Sequence, residues 1–148
     1  MLTESPSAPF IFIVEDDEDH EILIRRSFDS SPAKYRLETA RDLRDARLIL
    51  TRQMPDVVLA DYFLQDGKGS ELLKMVDGAC PVVIMTSQGD DQLEEKVKEA
   101  GASDYMVKSW EGFADMPRIV NLVMHQWAGI QGREQGDKIS AIRSVDSE

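Results

Sequence analysis

The sequence predicts an α/β fold, a doubly wound five-stranded parallel sheet in strand order 2-1-3-4-5. Four short apolar runs, at residues 10–14, 57–60, 82–85 and 105–107, have the composition of strands buried on both faces of a parallel sheet. Segments with helical spacing of apolar residues lie between them, which favours βαβ units. In this order, strands one and three meet at the topological switch point, where such sheets bind ligands.

Capping and breaking residues mark the helices. One helix of about three turns is expected after strand one, and weak alternation at residues 35–39 predicts strand two. Asp42 is the expected N-cap of a second helix, which Pro55 terminates. A loop is predicted at residues 66–69, and further helices at residues 70–76, 90–100 and 116–127.

The composition indicates one domain with a strongly acidic balance. Seventeen Lys and Arg against 28 Asp and Glu give a formal charge of -11 over 148 residues, which argues against nucleic acid or an anionic membrane as partner. The single cysteine, Cys80, suits a reducing cytoplasm. We expect a disordered lead at residues 1–9, the folded domain at residues 10–127, and a polar tail or linker at residues 128–148.

Each apolar run is followed at once by residues suited to phosphate or metal chemistry. Glu15 and Asp16 follow strand one, Asp61 strand three, Thr86 strand four, and Lys108 strand five. Since the carboxyl ends of parallel strands share one edge of the sheet, these side chains are predicted to converge. Any one of them alone would be an ordinary exposed loop residue, but their common position indicates a site.

The predicted acidic cluster favours a bound cation and a reactive aspartate. Clustered carboxylates repel one another unless a cation lies among them, and Mg²⁺ prefers carboxylate and carbonyl oxygens. Asp16 and Asp61 are the expected ligands, with Glu15 acting directly or through water. The backbone carbonyl of Phe63 could complete the set. The Asp61 carboxylate can also attack phosphorus and form an acyl phosphate.

Four segments together resemble the response-regulator receiver domains of two-component signalling. They are residues 13–17, 55–61, 81–87 and 101–108, and the resemblance extends over about residues 10–127. It implies the flavodoxin-like receiver fold and a phosphoprotein that works in a phosphorelay. It also implies that the phosphoryl donor is a phosphohistidine on a sensor histidine kinase or a histidine phosphotransfer protein.

The resemblance implies a role for each strand-end residue. Asp61 would accept the phosphoryl group, and Glu15 with Asp16 would hold Mg²⁺. Thr86 and Lys108 would bind the phosphoryl oxygens of the modified aspartate.

Three further positions carry expectations. Tyr105 matches the family's switch aromatic, which turns inward as the strand-four hydroxyl moves, although it could equally be a half-buried strand residue. The family usually has a cis proline after its conserved lysine, whereas Ser109 follows here. Because a cis bond before a non-proline residue costs roughly 3–4 kcal/mol, we predict a trans Lys108–Ser109 bond, the alternative being a strained cis bond held by packing. Phe63 flanks the expected path of water and is predicted to slow hydrolysis of the phosphoryl group.

Three other functions stay open at this point. A Mg²⁺-dependent phosphohydrolase of the haloacid-dehalogenase kind also uses a strand-end aspartate, but it normally has a second aspartate two positions later, where this chain has Phe63. A flavin-binding domain would bring its phosphate against Glu15 and the neighbouring acids, which would repel it. The third is a receiver-like module that binds partners without phosphorylation.

The output is expected to be protein binding. The receiver would act on a downstream protein, alone or through an attached output domain. Trp110 and Trp127 are candidate contacts, although Trp127 could equally close the core. The partner could also be a second copy of the chain, bound through the face of the last helix. His20 and His125 are expected at the surface.

Overall fold

A five-stranded parallel sheet forms the centre of the protein. The computed structural model describes residues 8–130. The strands are β1 (Phe10–Val14), β2 (Arg36–Ala40), β3 (Val57–Asp61), β4 (Phe63–Leu64), β5 (Gly67–Lys68), β6 (Val82–Thr86) and β7 (Asp104–Val107). The main sheet has the order β2-β1-β3-β6-β7, with every neighbouring pair parallel. This confirms the predicted order 2-1-3-4-5, in which β6 and β7 are the fourth and fifth strands.

The helices lie close to their predicted positions, with one addition. They are α1 (Glu18–Asp29), α2 (Leu43–Arg52), α3 (Glu71–Val76), α4 (Asp91–Glu99), α5 (Trp110–Ala114) and α6, which is helical over residues 116–130. The short helix α5 was not predicted. The predicted domain boundary at residue 127 falls inside α6. Most of the predicted lead (residues 1–9) and of the predicted tail (residues 128–148) lies outside the described residues 8–130. Within residues 8–130, no helix has both the length and the apolar character to span a bilayer.

The sheet is buried on both faces, as the continuous apolar runs predicted. On one face of the sheet, strand residues that include Phe12, Val58 and Ile84 pack in a hydrophobic cluster with side chains of α2, α3 and α4. On the other face, strand residues that include Ile13 and Leu59 pack in a second cluster with side chains of α1, α5 and α6. Side chains alternate across a strand, so a strand without polar positions can only be accommodated between two helical layers.

Capping side chains fix the ends of the helices. Asp42 accepts a hydrogen bond from the backbone N–H of Asp45, which confirms it as the N-cap of α2. The Asp66 carboxylate adds bonds from the N–H groups of Leu43 and Arg44 at 2.9 and 3.1 Å. Because Asp66 lies between β4 and β5, it ties the segment after β3 to the start of α2.

The segment after β3 is a small hairpin, whereas an irregular loop was predicted at residues 66–69. Phe63 pairs with Lys68, and Leu64 pairs with Gly67, in a two-stranded antiparallel ladder. The hairpin closes on the strand end through Gly69, where an added Cβ would lie 2.1 Å from the carbonyl oxygen of Asp61. Only glycine permits so close an approach of backbone to backbone.

Candidate functional site at the carboxyl edge of the sheet

The strand register brings the predicted site residues to one edge. Val14 pairs with Ala60, so Glu15, which follows β1, lies beside Asp61, the last residue of β3. Asp61 in turn pairs with Met85 of β6. Thr86 is the last residue of β6. The backbone N–H of Lys108, which follows β7, donates to the Thr86 carbonyl at 2.7 Å.

Three carboxylates form a compact acidic cluster at this edge. Glu15, Asp16 and Asp61 each offer a carboxylate oxygen, and these oxygens all lie within 4.8 Å of one another. Glu15 and Asp61 are buried and Asp16 is half-buried. Asp17, next in the sequence, instead caps α1 by accepting hydrogen bonds from the N–H groups of Asp19 and His20. The cluster therefore consists of the three carboxylates predicted as ligands.

Lys108 places a buried ammonium against two of these carboxylates. Its side chain is 3% exposed, and Nζ lies 2.5 Å from Glu15 Oε1 and 3.0 Å from Asp61 Oδ2. A single ammonium among three carboxylates leaves the cluster with an excess of negative potential whenever all three are ionised.

The protonation of Glu15 reflects this imbalance. Burial raises its pKa to about 7, with Lys108 opposing the rise and the Asp61 charge adding to it. Glu15 Oε1 is buried, and its polar neighbours within residues 8–130 are the Lys108 ammonium at 2.5 Å and Nδ1 of His20 at 3.7 Å. A divalent cation among the carboxylate oxygens of the cluster would favour the ionised form of Glu15. The donor set therefore fits Mg²⁺.

The Thr86 hydroxyl is buried next to its own loop. Thr86 is 0% exposed, and its Oγ1 lies 3.3 Å from both the backbone N and the backbone O of Gln88. Both bonds are at the long end of the usual range. The hydroxyl can thus exchange these partners for another acceptor at modest cost.

Tyr105 lies half-buried on β7 with its hydroxyl at the start of α4. Its ring packs against the cluster that contains Phe12, and its hydroxyl accepts a hydrogen bond from the backbone N–H of Asp90 at 3.1 Å. Asp90 is the N-cap of α4. The predicted inward turn of Tyr105 would break this contact, and it stays a prediction.

Phe63 lies in the hairpin, two positions after Asp61. Its backbone N–H points to Asp61 Oδ1 at 3.4 Å, and the residue is 53% exposed. The ammonium of Lys68 lies 4.2 Å from the centre of the Phe63 ring, and the Tyr62 ring meets that ring edge-on at 4.9 Å. Two neighbouring side chains therefore contact the Phe63 ring. The carbonyl of Phe63 stays a predicted ligand.

The connection after Lys108 is extended and trans. Within residues 8–130 there are no cis peptide bonds, which confirms the predicted trans Lys108–Ser109 bond. Ser109 has φ −154° and is the N-cap of α5, with its hydroxyl accepting from the N–H of Gly112 at 3.0 Å. Ser109 therefore starts a helix directly after the lysine.

His20 was predicted at the surface, and the structure places it half-buried at the edge of the site. Its side chain is only 28% exposed, and its Nδ1 lies 3.1 Å from Lys108 Nζ and 3.7 Å from Glu15 Oε1. The cap at Asp17 puts His20 in the first turn of α1, directly beyond β1, which was a visible signal. The contact with a residue 88 positions later was not visible in the sequence.

The geometry supports phosphoryl chemistry on a carboxylate. Three carboxylates and an ammonium converge at the switch point between β1 and β3, and the Thr86 hydroxyl lies at the end of the neighbouring strand β6. Negative charge that develops on a transferred phosphoryl group is stabilised by positive groups held in advance.

Comparisons with known proteins agree with the fold. Residues 11–121 match the family model described as the response regulator receiver domain. This chain belongs to that family, the receiver domains of two-component response regulators. The "Probable methanogenesis regulatory protein FilR2" of Methanothrix harundinacea is 30% identical over 82% of this chain and 85% of its own length.

Two further comparisons show how far the similarity extends. The "Methanogenesis regulatory protein FilR1" of the same organism is 32% identical over 90% of this chain, but the chain spans only 31% of that protein. A crystal structure of a two-component response regulator of the LuxR family from Aurantimonas sp. SI85-9A1 has a TM-score of 0.72 and 26% identity, covering 81% of this chain and 87% of that one. The receiver domain is thus the shared part.

Proposed function

We propose that this receiver is a phosphoacceptor in a two-component phosphorelay, with Asp61 as the residue that is modified. The observation that carries the proposal is the Asp61 carboxylate, which lies in the acidic cluster and 3.0 Å from the Lys108 ammonium. The receiver is not an enzyme that turns over an external substrate in this proposal, since Phe63 stands where a phosphohydrolase would carry its acid–base aspartate.

The reaction forms one bond to phosphorus and breaks another. A carboxylate oxygen of Asp61 attacks the phosphorus of a phosphohistidine, a P–O bond forms, and the P–N bond breaks with the electron pair going to the imidazole, which takes a proton from solvent. Lys108 and the Thr86 hydroxyl contact the phosphoryl oxygens of the product. Mg²⁺, held by Glu15, Asp16, Asp61 and the Phe63 carbonyl, supplies charge neutralisation when bound.

The partners follow from this chemistry. The donor is a sensor histidine kinase or a histidine phosphotransfer protein, and the receiver signals to a downstream protein or an attached output domain. Tyr105 is the switch residue in this proposal. The phosphorylated receiver can also form a homodimer through the face of α6. The FilR1 and FilR2 names describe regulators of methanogenesis, and an equivalent regulatory role is part of the proposal for this chain. The single free thiol, Cys80, is consistent with a cytoplasmic location.

Phosphorylation by a small donor with a P–N bond tests the proposal. Incubation with phosphoramidate and Mg²⁺, followed by intact-mass measurement, is expected to show one added phosphoryl group. The adduct is expected to disappear when EDTA replaces Mg²⁺. Absence of any adduct on the native protein, with both phosphoramidate and acetyl phosphate, would contradict the phosphoacceptor function and leave the phosphorylation-independent binding module as the alternative.

A further inference from the structure

His20 lies at the site without any role in the chemistry described so far. Its Nδ1 is hydrogen-bonded to Lys108 Nζ at 3.1 Å, and its ring packs on Phe113 with the ring centres 5.6 Å apart. Phe113 belongs to α5, the helix that begins directly after Lys108. His20 therefore connects the first turn of α1 to the segment that carries the lysine.

The hydrogen bond has a defined direction. An ammonium donates through its three N–H groups and accepts nothing. The 3.1 Å contact is therefore a hydrogen bond when Nδ1 of His20 is the acceptor, which corresponds to the ring with its proton on Nε2. The backbone holds the ring in place, because the His20 N–H donates to the Asp17 carboxylate at 3.1 Å in the cap of α1.

The three groups around the ammonium are unequal. Two are carboxylate oxygens, Glu15 Oε1 and Asp61 Oδ2, and both belong to the acidic cluster that fits a cation. In the proposed function these carboxylates engage Mg²⁺ or phosphorus, which changes their charge and contacts. His20 Nδ1 takes part in neither step, so it can hold the ammonium beside Asp61 throughout.

We infer that His20 is a positioning residue that holds the Lys108 ammonium in place for phosphoryl transfer to Asp61. This inference rests on the proposed function. Without the acceptor, the two carboxylates alone would hold the buried ammonium, and the lysine would be less well aligned with the incoming phosphoryl oxygens. A hydrogen bond to a charged group and the alignment it provides correspond to a rate effect of about tenfold.

Two substitutions separate the hydrogen bond from packing. His20→Leu keeps much of the volume against Phe113 and removes the acceptor. His20→Asn carries an amide oxygen close to the position of Nδ1 and restores an acceptor while removing the ring. His125→Leu is the matched control, because His125 is an exposed histidine on α6.

The rate of adduct formation with phosphoramidate and Mg²⁺ is the first readout. His20→Leu is expected to be about tenfold slower than the native protein, His20→Asn within about threefold of it, and His125→Leu unchanged. Equal rates for native protein and His20→Leu would overturn the inference. Equally slow His20→Leu and His20→Asn would also overturn it, because the ring would then act through packing. Melting temperatures verify that each variant is folded.

The nitrogen-15 spectrum of the imidazoles gives a readout that does not need phosphorylation. His20 is expected as the Nε2–H tautomer, and its Nδ1 signal is expected to move in Lys108→Gln. An Nδ1 signal that is protonated, or that is the same in Lys108→Gln, would overturn the inference. If the native protein forms no adduct but the Nδ1 signal behaves as expected, the contact between His20 and Lys108 is confirmed and the proposed function is wrong. The positioning role of His20 is then wrong as well, because it depends on the proposed function.

Discussion

The ammonium of Lys108 lies 3.0 Å from Oδ2 of Asp61, although the two residues are 47 positions apart in the sequence. The parallel register of β3, β6 and β7 produces this contact, because it aligns the carboxyl ends of the strands. A phosphoryl group added to Asp61 would enter a site that already holds a buried positive charge. The predictions that follow depend on the groups around this pair.

The stability of the metal-free protein should depend on Glu15. The pKa of Glu15 is about 7 in the folded protein, mainly because of burial, against an ordinary value of 4.5. Its contribution to the free energy of unfolding is thus fully present below about pH 4.5 and is lost as the pH rises through about 7. Urea denaturation in EDTA should show a loss on the order of a few kcal/mol over this window.

Glu15→Gln is the control for that measurement, since an amide does not titrate. The difference in unfolding free energy between the native protein and Glu15→Gln should change across pH 4.5 to 7 in the stated direction. A constant difference over this range would show that burial of Glu15 does not perturb its ionisation.

Mg²⁺ should stabilise the protein through the acidic cluster. A ligand that binds only the folded state adds about 2.7 kcal/mol at one hundred times its dissociation constant. The melting temperature should rise with Mg²⁺ concentration in the native protein and much less in Asp16→Asn, which loses one carboxylate of the cluster. Asp29→Asn, at the exposed end of α1, should respond like the native protein. The same rise in all three proteins would place the cation elsewhere.

The Phe63 ring should protect the acyl phosphate from water. Its backbone N–H points to Asp61 Oδ1, and its ring is in contact with Lys68 and Tyr62. Phe63→Ala is therefore expected to shorten the lifetime of the phosphorylated protein several-fold, measured by intact mass over time. Leu48→Ala removes another exposed apolar side chain, on α2, and should leave the lifetime unchanged. An unaltered lifetime in Phe63→Ala would mean that water reaches the phosphoryl group by another path.

Introducing proline after Lys108 should destabilise the protein. Ser109 has φ −154°, whereas proline requires about −65°, and the substitution also removes the N-cap of α5. Ser109→Ala, which removes the cap alone, is expected to lower the unfolding free energy by about 1 kcal/mol. Ser109→Pro should lower it further in the same urea titration. A proline variant as stable as the native protein would show that the segment adapts freely.

The sheet could be predicted from the sequence because its strands are buried on both faces. Runs such as residues 10–14 leave no polar position, and this pattern is specific to the centre of a parallel α/β sheet. The hairpin at Phe63–Leu64 and Gly67–Lys68 could not be predicted, because two-residue strands carry no periodicity. Helix α5 has five residues including a glycine, which is too short and too poor a helix former to be detected.

The site was predictable to the extent that it follows from strand ends. Glu15, Asp61 and Thr86 lie at ends of strands, so their convergence follows from topology. The contact of His20 with Lys108 depends on how α1 and α5 pack against each other, through His20 and Phe113. Packing between elements that are distant in the sequence leaves no local pattern, and this residue was therefore assigned to the surface.

Mapping of the phosphorylated residue tests the central claim most directly. The protein is incubated with acetyl phosphate and Mg²⁺, treated with borohydride, which reduces an aspartyl phosphate to homoserine, and digested for peptide mass analysis. We predict homoserine at position 61 in the native protein and none in Asp61→Asn. Homoserine at another aspartate, or a phosphoryl group that persists in Asp61→Asn, would contradict the assignment of Asp61 as the phosphoacceptor.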